Sequence, residues 1–406
     1  MDHKLKSKET GGHSHGRFSH SQPRHAKPRH AKQSASRSAR GARNQAWAVA
    51  FVCAVVVLLS ASLSLALTAG NSPAGSAATP SRSAPIAAAA SGQICPLSGL
   101  PAPGGEVPQR PALAVKVDNY PDARPQSGLD KADVVFEEPV EGGITRLVAV
   151  FQCQDASLIG PIRSAREVDA QILDLLSMPI FVHVGGIAPV LSIISNANDY
   201  NEDISAQGGV AQNPSGRYAP YDTYVSTQGG YGLRSSDTGV PAPVFTYSPT
   251  AQSGNPVASL HIPFSGTNDV TWTWDASKRL WMLAYSGTSA TVADGGQIGV
   301  PNVVVQSVEV SYGPWAENEE GGLEVQSQLT GSGPVTVYRN GTAVTGTWQR
   351  SSIDSPLRLV AGDGSTIPLA PGQTWVELVP DSVTVTSTPP PVAAASAPKS
   401  GKTVNP

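Results

Sequence analysis

The stretch Asp133–Gln152, DVVFEEPVEGGITRLVAVFQ, decides how this chain is read. Its two apolar runs, DVVFEE (133–138) and ITRLVAVFQ (144–152), have the composition of strands. Pro139–Gly143 between them supplies turn residues, so the pair reads as a hairpin. Upstream, ALAVKV (112–117) is a short strand that ends in Asp118-Asn119. Downstream, Val168, Ile172 and Leu176 recur at four-residue steps after Ser164 and predict a helix. IFVHV (180–184) follows as a buried strand, and Gly185-Gly186 leads into a second apolar helix around Pro189–Ser195. From Asn196 to about Pro243 the chain is polar and loop-like.

Beyond Val244 the texture is all β. Thr271–Trp274 and Leu280–Ala284 flank Asp275–Arg279 as a hairpin, and Asn340-Gly341 is a strong turn signal. Leu357–Val360, Ile367–Leu369 and Trp375–Leu378 are further short strands. The expected fold class is α+β. A mixed α/β domain (95–243) is followed by a small all-β domain (244–382), sandwich or barrel-like, and preceded by one transmembrane helix.

The flanks point to a membrane. Residues 46–67 contain no charged side chain and are long enough to cross a bilayer core. Residues 1–43 hold eleven Lys/Arg against two acids, whereas the part after the run holds seventeen against twenty-nine. A basic flank stays cytoplasmic. The expectation is therefore a single-pass signal anchor in the plasma membrane, N-terminus cytoplasmic, with the C-terminal domains extracytoplasmic. A cleaved signal peptide is the competing reading. Gly70 stands where a lipoprotein box would carry its lipid-bearing Cys, which excludes lipidation there. The basic arm reads as disordered, with no fold for specific nucleic-acid recognition. Residues 69–92 form an Ala/Pro/Ser-rich linker and 383–406 a disordered tail. Cys95 and Cys153 are the two cysteines beyond the span. Disulfides persist outside the cytoplasm, so a Cys95–Cys153 bridge is the simplest pairing, against two separate thiols.

Charge is concentrated in one place. Between Asp118 and Glu167 lie Arg124, Arg146, Arg163, Arg166 and nine carboxylates, around the turns at Gly142-Gly143 and Gly160-Pro161. Ser164-Ala165-Arg166-Glu167 fits a capping box, with Ser164 as N-cap. Arginines beside a positive helix end call for an anion, held by guanidinium forks and free N–H groups. The candidate anion-binding set is Arg124, Arg146, Arg163, Arg166 and Ser164. Asp118, Asp133, Glu138, Glu141 and His183 are candidates for acid/base work or for holding Mg²⁺ beside a phosphate. Three readings fit: an internal salt-bridge network, an anion-binding site, or a phosphoryl- or acyl-transfer site. A strand histidine such as His183 is more often a satisfied core residue. No hydrolase elbow, zinc-protease motif, phosphate loop or dinucleotide fingerprint occurs.

The segments RPALAVKVDN (110–119), ARPQSGL (123–129), ADVVFEE (132–138), EGGITR (141–146) and GPIRSAR (160–166) resemble the YerB family. These are bacterial surface lipoproteins built from two domains of unknown function. Asn302–Val305, Gly346–Arg350 and Pro371–Trp375 also fit, so the resemblance spans about 95–380. This chain reads Ala219-Pro220-Tyr221-Asp222 where the family tends to read Ala-Pro-His-Asn. The resemblance implies a cell-envelope protein without an assigned activity.

The order strand, strand, Pro-x-Arg, helix, strand-Gly-Gly-helix is also similar in layout to LytR-CpsA-Psr phosphotransferases. Those use arginines to hold a polyprenyl pyrophosphate. The leading expectation is an anchored envelope protein that binds an anionic polymer, a polyprenyl phosphate or a protein partner through its arginines. The alternative is a phosphotransferase or hydrolase acting on a phosphate-linked glycan or polyprenyl lipid.

Overall fold

The computed structural model describes residues 92–391, apart from 207–209, 215 and 318–320. These residues belong to one compact unit, Ser83–Pro406. The expected membrane span and basic arm, with nearly all of the linker and the end of the tail, lie outside the described residues. Among the described residues no helix is long and apolar enough to cross a membrane.

The first half supplies β1 (Leu113–Asp118), β2 (Val134–Pro139), β3 (Thr145–Phe151), β4 (Ile180–His183) and β5 (Tyr200–Asp203). Its helices are short: α1 (Glu167–Leu173), α2 (Ala188–Ile194) and α3 (Thr227–Gly232). Then come β6 (Asn255–Pro256), β7 (Ser259–Pro263), β8 (Asp269–Asp275), β9 (Leu280–Tyr285), β10 (Thr288–Ser289) and β11 (Gly299–Val300). The chain continues with β12 (Asn302–Val308), β13 (Val310–Ala316), β14 (Leu323–Ser327), β15 (Gly331–Arg339) and β16 (Thr342–Arg350). Last are β17 (Arg358–Ala361), β18 (Thr374–Pro380) and β19 (Thr386–Thr388). The fold is β-rich with few helices. The β2–β3, β8–β9 and β15–β16 hairpins form where the turn residues predict them. Asn340 and Gly341 both take positive φ, as a two-residue hairpin turn demands. The stretch expected to be loop also contains β5 and α3, whereas Ile367–Leu369 makes bridges without becoming a strand.

The all-β segment does not close into a sandwich or barrel of its own. One sheet of eleven strands runs β17-β16-β15-β12-β18-β2-β3-β1-β4-β5, with β6 beside β16. The expected division at 243/244 therefore does not separate the sheets. The joint is β2 beside β18, parallel, from Val134 opposite Thr374 to Glu137 opposite Glu377. Each of these two strands is buried on both faces over almost its whole length. Such a strand needs cover above, below and on both sides, so neither is left at an edge. The remaining strands form a six-stranded sheet (β10-β9-β8-β7-β19 with β11) and a separate β13–β14 ribbon.

Side-chain alternation builds two cores. Val115, Val117, Val135, Leu147 and Trp375 face the six-stranded sheet and meet Leu260, Trp272 and Trp281. Ala114, Phe136, Val148 and Val376 face the other way, against Val168 and Ile172 of α1 and Val190 of α2. The pair Glu137-Glu138 is split by the same rule, one carboxylate to each side. Glu137 accepts hydrogen bonds from Tyr285 (3.0 Å), Trp375 (3.1 Å) and Thr145 (2.7 Å). Beside it, Glu377 accepts from Trp272 at 2.7 Å. Burial, and then the charge of Glu137, push the Glu377 carboxyl well above the usual range. Cys95 and Cys153 form a disulfide, 58 residues apart, with Cα atoms 6.1 Å apart. It ties the start of the fold to the end of β3.

Ser164 is not the N-cap expected from the sequence. The cap is Arg166, whose N–H donates to Asp169 Oδ2 at 2.7 Å. The reason is tertiary. Arg163 N–H donates to Lys116 O, Val184 N–H to Arg163 O and Ala165 N–H to Gly185 O. These bonds stretch residues 163–165 between β1 and the end of β4, so the helix starts only after them.

Reducing the disulfide, or replacing both cysteines by Ser, should lower stability by about 2–4 kcal/mol through lost loop closure. Urea unfolding with and without reductant checks this. Glu377 gives a pH signature. The folded carboxyl keeps its proton where the unfolded one has lost it, so stability should fall as pH rises above the ordinary glutamate range. In Glu377→Gln this decline should be shallower, with the two proteins closest below the ordinary glutamate range and diverging as pH rises above it, read from urea midpoints.

Candidate functional site

At the end of the long sheet nearest α1, one face carries Asp118, Arg146 and Glu138 in register across β1, β3 and β2. Arg163 and Arg166 arrive from the extended segment before α1, and Glu141 from the Glu141–Gly143 turn. All of these except Glu138, which lies beneath, line an open cleft of about 830 Å³, with Tyr120, Ser164, Tyr221 and Glu317 among its other walls. Three arginines and three carboxylates thus converge from four separate stretches of chain.

Most of this charge is internally matched. Glu141 takes both Nε (2.9 Å) and Nη2 of Arg166, and also pairs with Arg146 at 3.3 Å. Arg166 reaches Glu317 at 3.3 Å, and Arg146 donates to the Ser164 carbonyl at 3.0 Å. Burial alone would raise the Glu141 carboxyl, but the Arg166 hydrogen bond and both guanidinium charges hold it down at about 2. Burial, then the Arg166 charge, lowers Arg146 to about 10, so it stays a cation at neutral pH. Arg163 differs. It makes one ion pair, Nε to Asp118 Oδ2 at 2.7 Å, and its side chain is 28% exposed. Among the described residues its two terminal nitrogens make no hydrogen bond, so they remain as donors at the cleft wall.

The other residues singled out from the sequence lie elsewhere. Arg124 is turned to the far face, donating to Asn119 and Asn268 with its guanidinium 3.7 Å from the Tyr285 ring. Asp133 accepts the backbone N–H groups of Gln152 (2.7 Å) and Cys153 (3.1 Å), a structural role at the disulfide. His183 is buried with both ring nitrogens engaged, by Gly185 O and Asn201 Oδ1, and stacks on Phe181. Glu138 lies beneath the cleft, paired with Lys116, which also meets Asp169 at 2.6 Å. Burial and the Asp169 charge push Glu138 up to about 8 against the pull of Lys116. At the α1 start the Glu167 N–H already donates to the carboxylate of Glu324 at 3.1 Å.

Lys116, Asp169, Glu317 and Tyr221 are the participants that sequence reasoning missed. Lys116 did carry a signal, since a charge inside a continuous apolar strand needs a buried partner. Tyr221 was visible only as the departure from the family's Ala-Pro-His-Asn, and it forms part of the cleft wall. Glu317, on a polar connection between β13 and β14, carried none. Among the described residues no three His, Cys, Asp or Glu side chains converge as a cation site.

The chain is a two-segment β-rich protein with a polar cleft, of a class to which no activity is assigned. It belongs to the DUF3048 family of proteins of unknown function, matching the N-terminal domain over residues 97–235 and the C-terminal domain over 260–376. It is 30% identical over 302 residues to "Putative lipoprotein YerB" of Bacillus subtilis (strain 168), covering 70% of this chain and 86% of the relative. The crystal structure of the YerB protein from Bacillus subtilis superposes with a TM-score of 0.63 at 24% identity. That match covers 72% of this chain and 99% of the crystallised one.

Two substitutions separate structure from surface here. Glu141→Gln leaves two buried guanidiniums short of their partner and should destabilise by about 3–5 kcal/mol. Arg163→Ala removes an ion pair in which the guanidinium is partly exposed but the Asp118 carboxylate is buried, and should cost about 1–3 kcal/mol. Chemical denaturation of both variants checks the contrast.

Proposed function

We propose that this protein is an envelope-exposed binding protein whose cleft holds the anionic group, phosphate or carboxylate, of an envelope ligand. The observation that carries the reading is Arg163. Its terminal nitrogens make no hydrogen bond among the described residues, at the wall of a cleft in which Arg146 and Arg166 are already committed to carboxylates. A guanidinium fork so placed accepts an oxyanion with charge-assisted hydrogen bonds. Arg146 and Arg166 add positive potential behind it. Tyr120 and Tyr221 offer ring faces for the uncharged part of a ligand, such as a sugar.

The location follows from the flanks. The basic arm and the apolar run of 46–67 support a single-pass anchor that holds the fold outside the cytoplasm. The disulfide suits that compartment, and the relative's name as a lipoprotein points to the same surface. Phosphoryl transfer on a glycan- or polyprenyl-linked phosphate is the competing reading. It would need a cation such as Mg²⁺ held partly by ligand oxygens, whereas binding needs only the groups already in the cleft.

Titration of the 83–406 unit with inorganic phosphate, pyrophosphate, glucuronate and teichoic-acid fragments, each with and without Mg²⁺, tests both. At least one of these anions should raise the melting temperature. Arg163→Ala should lower its affinity about tenfold or more, with the free protein still folded. If no anion binds, or binding survives the substitution, the cleft is not the site. A shift seen only with Mg²⁺ would move the reading towards phosphoryl transfer.

A further inference from the structure

We infer that the ligand is a single-chain lipid phosphate, with its anionic head in the arginine cleft and its hydrocarbon tail in a neighbouring apolar groove. The inference rests on the anion-binding reading above and adds the class of molecule that carries the anion.

The groove lies on the other side of the Glu141–Gly143 turn and measures about 320 Å³. Glu141, Gly142 and Ile144 line both cavities, so the turn is a common wall. The groove itself is formed by Phe264, Val310, Tyr312, Leu323, Val325 and Val383. Glu141 is the one charged residue along it, and Arg146 and Arg166 hold that carboxylate on the cleft side. Among the described residues the groove therefore carries no other charge, and it adjoins a cleft in which Arg163 offers an open guanidinium fork.

The β13–β14 ribbon joins the two. Strand alternation sends Glu324 and Gln326 to Glu167 of α1, while Leu323 and Val325 face the groove. Glu317, just beyond β13, reaches Arg166 in the cleft. Tyr312 is 70% exposed and Leu323 45% exposed, and both line this one groove. A lone exposed apolar side chain is ordinary, but large ones gathered along a groove mark a binding surface.

The crest of the shared wall is low. Gly142 and Gly143 both take positive φ, and a Cβ built on Gly142 would have no atom within 4 Å. At Gly142 a chain can cross from cleft to groove without meeting a side chain, whereas Gly143 is covered by Ser265. An open guanidinium on one side, a groove with a row of large apolar side chains on the other and a crossing at Gly142 between them match a phosphate ester of a long alcohol.

Isothermal titration of the 83–406 unit with inorganic phosphate and with butyl, octyl and dodecyl phosphate, kept below self-association, tests this. Affinity should rise about twofold to fourfold per methylene until the groove is full. In Tyr312→Ser/Leu323→Ser the chain-length dependence should flatten, with affinity for inorganic phosphate unchanged. Both side chains are exposed, so this variant should melt within a degree or two of the parent. Phosphate binding without any chain-length dependence would overturn the lipid inference and leave the anion site standing. Chain-length dependence that persists in the double variant would place the hydrocarbon elsewhere and overturn it as well. If neither phosphate nor alkyl phosphates bind, both readings fall together.

Discussion

The parallel pairing of β2 with β18 is the constraint on which the rest of the molecule depends. It joins strands some 240 residues apart in sequence through four residue pairs, Val134–Glu137 with Thr374–Glu377. Parallel pairing needs a long crossover, and here the crossover is most of the protein. The neighbouring strands are thereby placed: β3, β1 and β4 to one side of the joint, β12, β15 and β16 to the other. The family's two domains are consequently halves of one sheet, and neither half alone covers both faces of the central strands.

Around that joint the protein buries an unusual amount of charge, and it does so in two separate sets. Toward the six-stranded sheet, Glu137 and Glu377 lie under Trp272, Trp375 and Tyr285, and Asn119, Thr145 and Asn268 also donate to Glu137. Toward the helices, Lys116, Glu138 and Asp169 form a closed ionic group. Buried ions are expensive to desolvate, and breaking one member of such a set is more damaging than replacing the whole. These sets fix strand register, since a one-residue slip would exchange the two faces and bring each charge against hydrocarbon. The cleft above the helix-side set inherits that rigidity.

The cleft combines fixed and available charge. Glu141 clamps Arg146 and Arg166, and its two partners keep it ionised far into the acid range. Arg163 is held by one carboxylate through one nitrogen and keeps its fork open. Preorganised positive potential with one open donor face suits recognition of an anion without large rearrangement. The adjoining apolar groove and the low glycine crest extend that recognition from charge to shape.

The sequence alone determined the local pieces. Val-rich runs, Pro-Gly and Asn-Gly turns and the cysteine pairing defined the hairpins and the disulfide, because strand patterning and turn chemistry act over a few residues. The family was legible for the same reason, in motifs such as EGGITR and GPIRSAR. It also gathered Asp118, Glu141, Arg146, Arg163 and Arg166 as one constellation, which the fold brings into one cleft. What it could not give was the side of the sheet on which each charge falls relative to distant partners. Arg124 is close to the others in sequence, yet it is drawn to Tyr285 and Asn268, some 140 to 160 residues away. Ser164 had the pattern of an N-cap, but backbone pairing to β1 and the β4 end stretched it out of the helix. Glu317 and Glu324 come from the far segment and complete the cleft and seal α1. The single sheet across both halves was hidden for the same physical reason. Parallel pairing between strands far apart leaves no local pattern, and only the need of two doubly buried strands for cover brings them together.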